Sequence, residues 1–310
     1  MTQHQSAQQD ATGPILVIGR NGQLATSLQK LGGARVIRIG RPEFSLDAPE
    51  DIGPLLDRIR PSVVINAAAW TAVDLAESEE EAAGRANRSG PEKLAAETAR
   101  RHIPFLHVST DYVFDGEKGA PYTEEDPVHP VTAYGRTKEA GERAVLAASP
   151  LSAVFRTAWV YAPHGKNFVR TMLNAGAKNP VLRIVGDQKG NPTNADDLAA
   201  VLLGVSEQMQ TRPWQENWHG IFHAVGSGEG TWYELAREAL EEADRLGQKM
   251  PELQAIQTAD WPTPAKRPAD SRLDTAKLAR TFGLTLPDWR ESTRRTVQSL
   301  MEENRSPASS

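Results

Sequence analysis

Short apolar runs alternate with amphipathic stretches along the first half of the chain. Ile15–Ile18 is an unbroken apolar tetrapeptide that stops at Gly19, the pattern of a parallel strand buried on both faces. Residues 23–31 read as a helix, 35–39 as a second strand, and 51–60 as a helix with Leu55, Leu56 and Ile59 on one side. A third apolar strand follows at 62–67, a long helix at 79–101 and another strand at 104–108. Strands and helices at this spacing predict βαβ units, hence an α/β protein with a parallel, doubly wound sheet.

The second half is less regular. Helices are predicted over 133–148, 167–177, 195–209 and 231–246, with strands over 153–157 and 220–225. Pro251, Pro262, Pro264 and Pro268 mark loops rather than sheet core. This divides the chain into a polar tail (1–13), a sheet domain (14–160, with later strands near 181–225 returning to it) and a smaller lobe, mostly 161–310. The end, 302–310, is expected to fray.

Composition narrows the chemistry. Of 310 residues, 39% are hydrophobic, enough for one large or two modest cores. None is cysteine, which removes disulfide scaffolds, thiolate metal sites and cysteine nucleophiles. A net charge of −5 argues against a nucleic-acid partner. Residues 1–12 carry no Lys or Arg, unlike a secretory signal, and no apolar run approaches the ~20 residues of a membrane helix. A soluble cytoplasmic protein is the expectation.

Four local patterns carry candidate chemistry. Gly19-Arg20-Asn21-Gly22-Gln23-Leu24-Ala25 places small residues three apart between a strand and a helix, where backbone can approach a pyrophosphate. The second strand then ends in Arg38-Ile39-Gly40-Arg41, basic where an NAD-binding carboxylate would stand. A guanidinium at Arg41 suits a 2′-phosphate, so NADPH is expected, with NADH the alternative. Ala67, Ala68 and Ala69 at the end of the third strand leave room either for a flat ligand or for close helix packing. The fourth strand ends in Ser109-Thr110-Asp111-Tyr112, and one helix later Tyr134 and Lys138 lie four apart on one face. A neighbouring ammonium is expected to lower the Tyr134 phenol pKa, while Thr110 polarises a carbonyl by hydrogen bonding.

Together with Asn66-Ala67-Ala68-Ala69-Trp70-Thr71-Ala72-Val73-Asp74, Ser109-Thr110-Asp111-Tyr112-Val113-Phe114-Asp115-Gly116, Gly190-Asn191-Pro192-Thr193 and Arg267-Pro268-Ala269-Asp270-Ser271-Arg272-Leu273, these motifs resemble the extended short-chain dehydrogenase/reductase (NAD-dependent epimerase/dehydratase-like) family, from about residue 15 to about 300. The resemblance implies a Rossmann-type sheet with a smaller C-terminal α/β substrate lobe. It also implies NADPH-dependent reduction of the C4 ketone of dTDP-4-dehydro-L-rhamnose. Tyr134 would then donate the proton, Lys138 would tune it and bind the nicotinamide ribose, and Thr110 would hold the carbonyl oxygen. Gly19, Asn21, Gly22, Gln23, Leu24, Arg41 and Ala67, Ala68 and Ala69 would line the cofactor.

By the same resemblance, Thr71, Val73, Asp111, Tyr112 and Trp159 fall at the sugar nucleotide, with Asn167 and Arg267 toward its nucleotide end. Trp159 reads equally as a core anchor, and Asn167 and Arg267 as turn residues. Asn87 would support the lysine through a water. Tyr112 stands where related dehydratases carry the eliminating glutamate, which leaves reduction. Some relatives form a magnesium-bridged dimer, but Val297-Gln298-Ser299-Leu300 offers no carboxylate and Asp196 alone is not a site, so no metal is expected. Monomer and homodimer both stay open. The rival readings are a non-catalytic binding subunit on the same fold and a reductase of another nucleotide sugar.

Overall fold

A computed structural model describes residues 13–305; the polar segment 1–12 and residues 306–310 lie outside it. Its central feature is a sheet of six parallel strands: β1 (Ile15–Ile18), β2 (Val36–Ile39), β3 (Val63–Asn66), β4 (Phe105–Thr110), β5 (Ser152–Thr157) and β6 (Gly220–His223). The strands lie in the order β2-β1-β3-β4-β5-β6. Chain direction across the sheet reverses between β1 and β3, which opens a crevice at the carboxyl ends of the strands. The doubly wound, Rossmann-like sheet anticipated from strand spacing is therefore the observed one.

Alternation along β1 explains why both faces are apolar. Ile15 and Val17 join a core with Leu28, Phe155, Leu202 and Phe222, whereas Leu16 and Ile18 join a second with Leu56, Leu94, Phe105 and Val154. All four β1 residues are buried. A third cluster, built on Leu235, Leu240, Trp289 and Val297, forms the core of the C-terminal lobe.

Three expectations change. Of the strands near 181–225 expected to return to the large sheet, Gly220–His223 does so. Val181–Val185 pairs instead with Glu252–Ile256 in a separate parallel ribbon. Pro251 precedes the first residue of that second strand, a position where a missing N–H costs no ladder bond. The helix expected over 79–101 runs as Glu80–Gly84 and Gly90–Arg100, joined by a π turn at Arg85–Ser89. The last helix, Trp289–Arg305, continues past the point where fraying was expected. Among the described residues, no helix is long and apolar enough to cross a membrane.

Candidate active site

Gly19 sits at φ +135°, and a Cβ there would lie 3.3 Å from Ala25 Cβ and 3.5 Å from the Ala67–Ala68 backbone. Its N–H donates to Ile39 O at 2.7 Å. The turn after β1 thus draws together the ends of β1, β2 and β3, and only glycine allows both the backbone angle and the approach. The helix Gln23–Gly32 begins there with Gly22 as its cap, no capping side chain and no acidic residue in its first turn. Its first N–H groups and positive dipole end are left for an anion. This cradle fits a dinucleotide pyrophosphate. Gly22 and Asn21 are exposed, Leu24 is buried, and Ala67, Ala68 and Ala69 are half-buried beside the turn.

Gln23 is occupied differently from the reading as a cofactor ligand. Its Nε2 donates to Val160 O at 3.3 Å and its Oε1 accepts from Asn167 Nδ2 at 3.0 Å, so the side chain ties the turn to the other lobe. Asn167, placed by resemblance at the nucleotide end of the substrate, caps the helix Phe168–Gly176 and reaches the cofactor turn instead. Its amide has the hydrogen-bonding capacity for both tasks, and the local turn fixes its direction.

Arg41 is exposed at the rim beyond β2. Arg38 is spent internally, donating to Arg20 O at 2.8 Å and Thr26 Oγ1 at 3.1 Å. Arg20, which sequence reasoning passed over, adds a second exposed guanidinium beside the turn, 3.4 Å from Glu43. Its only sequence signal is its place between Gly19 and Asn21.

The carboxyl end of β4 carries the densest polar cluster. Thr110 Oγ1 accepts from Tyr112 N at 3.2 Å and donates to Asp111 Oδ1 at 3.0 Å. Ser271 Oγ donates to the other Asp111 oxygen at 2.6 Å. The helix Ala133–Ala148, capped by Thr132, runs against this turn so closely that a Cβ on Gly135 would lie 2.2 Å from Tyr112 O. That brings the Tyr134 hydroxyl close to the Thr110 side chain, and its ring edge-on to Tyr112 at 5.5 Å.

Burial dominates the electrostatics here. It pushes the Tyr134 phenol above its ordinary range; the nearby Thr110 hydroxyl opposes this, and Asp111 and Tyr112 reinforce it. The expected lowering of the phenol by a lysine is therefore reversed, because desolvation penalises a buried phenolate. Lys138 is 1% exposed and donates to Val108 O at 2.7 Å. Burial brings its ammonium down to about 8, partly offset by the charge of Glu142. Asp111, read as a substrate contact, is 2% exposed and faces Thr110 and Ser271. Burial raises it to about 6 against those hydrogen bonds.

On the substrate side, Val73 and Tyr112 pack with Tyr134, while Thr71 is exposed nearby. Arg267 Nη2 donates to Asp74 at 2.8 Å, tying the proline-rich loop to the segment after β3, with its guanidinium near the Tyr112 side chain. Trp159 holds φ +48°, rare for a bulky residue, and stacks on Trp232 at 3.7 Å. It lies where a Cβ on Gly190 would come within 2.6 Å, and it packs against two hydrophobic clusters. Trp232 carried no sequence signal beyond its helix.

Asn87, in the π turn, accepts from Trp70 N and donates to Trp70 O and Thr137 Oγ1. The amide hydrogens assigned to a water-mediated contact with the lysine are thus committed, and they fix the Trp70 loop. Such π turns cluster at functional sites. Asp196 accepts from Lys30 at 2.8 Å.

A family model described as RmlD substrate binding domain matches residues 13–302. The dTDP-4-dehydrorhamnose reductase of Sinorhizobium fredii is 41% identical over 293 residues, spanning 94% of this chain and 99% of its own length. A crystal structure of a dTDP-4-dehydrorhamnose reductase from Clostridium acetobutylicum aligns with a TM-score of 0.85 at 36% identity, over 93% of this chain and 99% of that one. Another, from Bacillus anthracis in complex with NADP, aligns at 0.84 and 27% identity, over 92% and 98%. With its sequence and its fold matched over nearly their whole described length, the chain belongs to the RmlD substrate-binding-domain family.

Proposed function

We propose that the chain is an NADPH-dependent oxidoreductase that reduces the C4 ketone of dTDP-4-dehydro-L-rhamnose to the alcohol of dTDP-L-rhamnose. The observation that carries this reading is the approach of the Thr110 and Tyr134 hydroxyls at the end of β4, on the same sheet edge as a glycine cradle fit for a dinucleotide. Gly19, Gly22 and the first turn of the helix Gln23–Gly32 would hold the pyrophosphate, and Arg41 with Arg20 the 2′-phosphate. The bound nicotinamide supplies hydride.

The residues of the chain do the rest. Tyr134 stays protonated because burial disfavours its phenolate, so it is an acid ready to protonate the substrate oxygen as negative charge develops there. Thr110 shares that oxygen by hydrogen bonding. Lys138 brings an ammonium under the site to stabilise the phenolate left after proton transfer. Tyr112, Val73 and Trp159 form apolar walls that exclude water. We read the enzyme as cytoplasmic, as a monomer or homodimer, with a small-molecule nucleotide sugar as its partner.

Loss of NADPH absorbance with dTDP-4-dehydro-L-rhamnose measures the activity. Tyr134→Phe is expected to lower kcat by roughly 10²–10⁴. A wild type that consumes no cofactor, or a phenylalanine variant as fast as the wild type, rejects the assignment. In the same assay Arg41→Ala is expected to narrow the preference for NADPH over NADH.

A further inference from the structure

Thr110 has one hydroxyl hydrogen and more claimants than it can serve. Its oxygen already accepts from Tyr112 N at 3.2 Å, and its hydrogen goes to Asp111 Oδ1 at 3.0 Å, which leaves none for a substrate carbonyl. An ionised carboxylate can only accept, so Asp111 in that form keeps the Thr110 hydrogen turned away from the substrate. Resting on the ketoreductase reading above, we infer that Asp111 is a positioning residue whose protonation turns the Thr110 hydroxyl from an acceptor into a donor for the substrate carbonyl, with Ser271 of the C-terminal lobe setting the balance.

The hydrogen count closes. Protonated Asp111 donates to Thr110 Oγ1, Tyr112 N stays on the second lone pair, and the Thr110 hydrogen points to the substrate oxygen beside the Tyr134 hydroxyl. Asp111 takes its proton from solvent and keeps it; the proton that ends on the product is that of Tyr134. Two donors then meet the developing alkoxide instead of one.

The surroundings of Asp111 allow it to titrate. Its own turn contributes Tyr112, held up to about 12, and the helix Ala133–Ala148 contributes Tyr134, also held above its ordinary range, so both stay neutral. Lys138, on that helix, faces Val108 O and Glu142. From the C-terminal segment comes Ser271. Its charged neighbours Asp270 and Arg272 pair with each other at 2.6 Å, and Arg267 is turned to Asp74 and Tyr112. Burial places the Asp111 carboxyl at about 6, within reach of ordinary conditions, and the Ser271 hydrogen bond favours its ionised form.

The test is the pH profile of kcat, with KM for both substrates, between about pH 5 and 8, for wild type, Ser271→Ala and Asp111→Asn. In the wild type kcat is expected to fall on the order of tenfold or more as pH rises through the Asp111 titration, the scale of losing one donor to an oxyanion. Ser271→Ala is expected to move the midpoint to higher pH, and Asp111→Asn to flatten the profile. A midpoint unmoved by Ser271→Ala, or a wild-type titration surviving in Asp111→Asn, overturns the inference; if the asparagine variant does not fold, Ser271→Ala alone decides. Carbon NMR of the Asp111 carboxyl needs no turnover. Its titration should rise in Ser271→Ala and in Thr110→Val, and an unmoved titration refutes the coupling even if the sugar nucleotide proves to be the wrong substrate.

Discussion

Two buried cations lie at the helix Ala133–Ala148, and the protein treats them in opposite ways. Arg156, 2% exposed, points Nε and Nη2 at the two oxygens of Glu142, at 2.9 and 2.7 Å, and rests over the Phe114 ring at 5.0 Å. Lys138, one turn before Glu142, is as deeply buried but among the described residues hydrogen-bonds only the Val108 carbonyl, and its ammonium falls to about 8. The acids repeat the contrast. Burial pushes Asp270 up, but the Arg272 hydrogen bonds and charge outweigh it and hold the carboxyl below its ordinary value. Asp111, between two hydroxyls, rises to about 6. Paired charges brace each lobe from within, whereas the unpaired ones collect at the end of β4, where a costly protonation state has chemistry to perform.

Breaking the paired side should show the largest effect on stability. Glu142→Gln leaves a buried guanidinium uncompensated and is expected to cost about 3–5 kcal/mol, read by chemical denaturation. Loss of less than about 1 kcal/mol would remove the distinction between the two cations.

Lys138→Met should do the reverse: activity falls while stability rises. The folded pKa of about 8 lies below the ordinary lysine value of 10.5, so the folded state carries the penalty of a buried ammonium at every pH below 8. That penalty fades as pH rises from 8 to 10.5. The methionine variant is thus expected to gain on the order of 2–3 kcal/mol at pH 7, converging on the wild type toward pH 10.5. A gain that does not vary with pH would point to packing rather than charge.

The smallest effect belongs to the same bidentate geometry in solvent. Arg136 meets both oxygens of Glu80 at 2.9 and 2.7 Å, but the side chains are 44% and 47% exposed. Glu80→Gln should cost less than about 1 kcal/mol and less still in high salt. A cost equal to that of Glu142→Gln would show that fork geometry, not burial, sets the value of these pairs.

Much of this was legible in order along the chain. The apolar run Ile15–Ile18, the glycine turn and the spacing of Tyr134 and Lys138 are local patterns, and each maps onto the structure near its predicted place. The ribbon of Val181–Val185 with Glu252–Ile256 was hidden because its strands are short, half-exposed and prefaced by prolines. The roles of Gln23, Asn167 and Asn87 were hidden because an amide declares no partner until the fold supplies one. The choice of Arg41 over Arg38 was legible, but that Arg38 turns inward to Arg20 O and Thr26 was not.

The sequence by itself determined the alternation of strands and helices, the glycine that opens the first helix, and which residue types stand at the end of the fourth strand. Periodicity, backbone freedom and side-chain chemistry are properties of a few neighbouring residues. Only the tertiary structure decided that the Tyr134 phenol is held up rather than lowered, and that Ser271 meets Asp111 from 160 residues away. Desolvation, and the use of a single hydroxyl hydrogen, depend on what the whole chain packs around an atom.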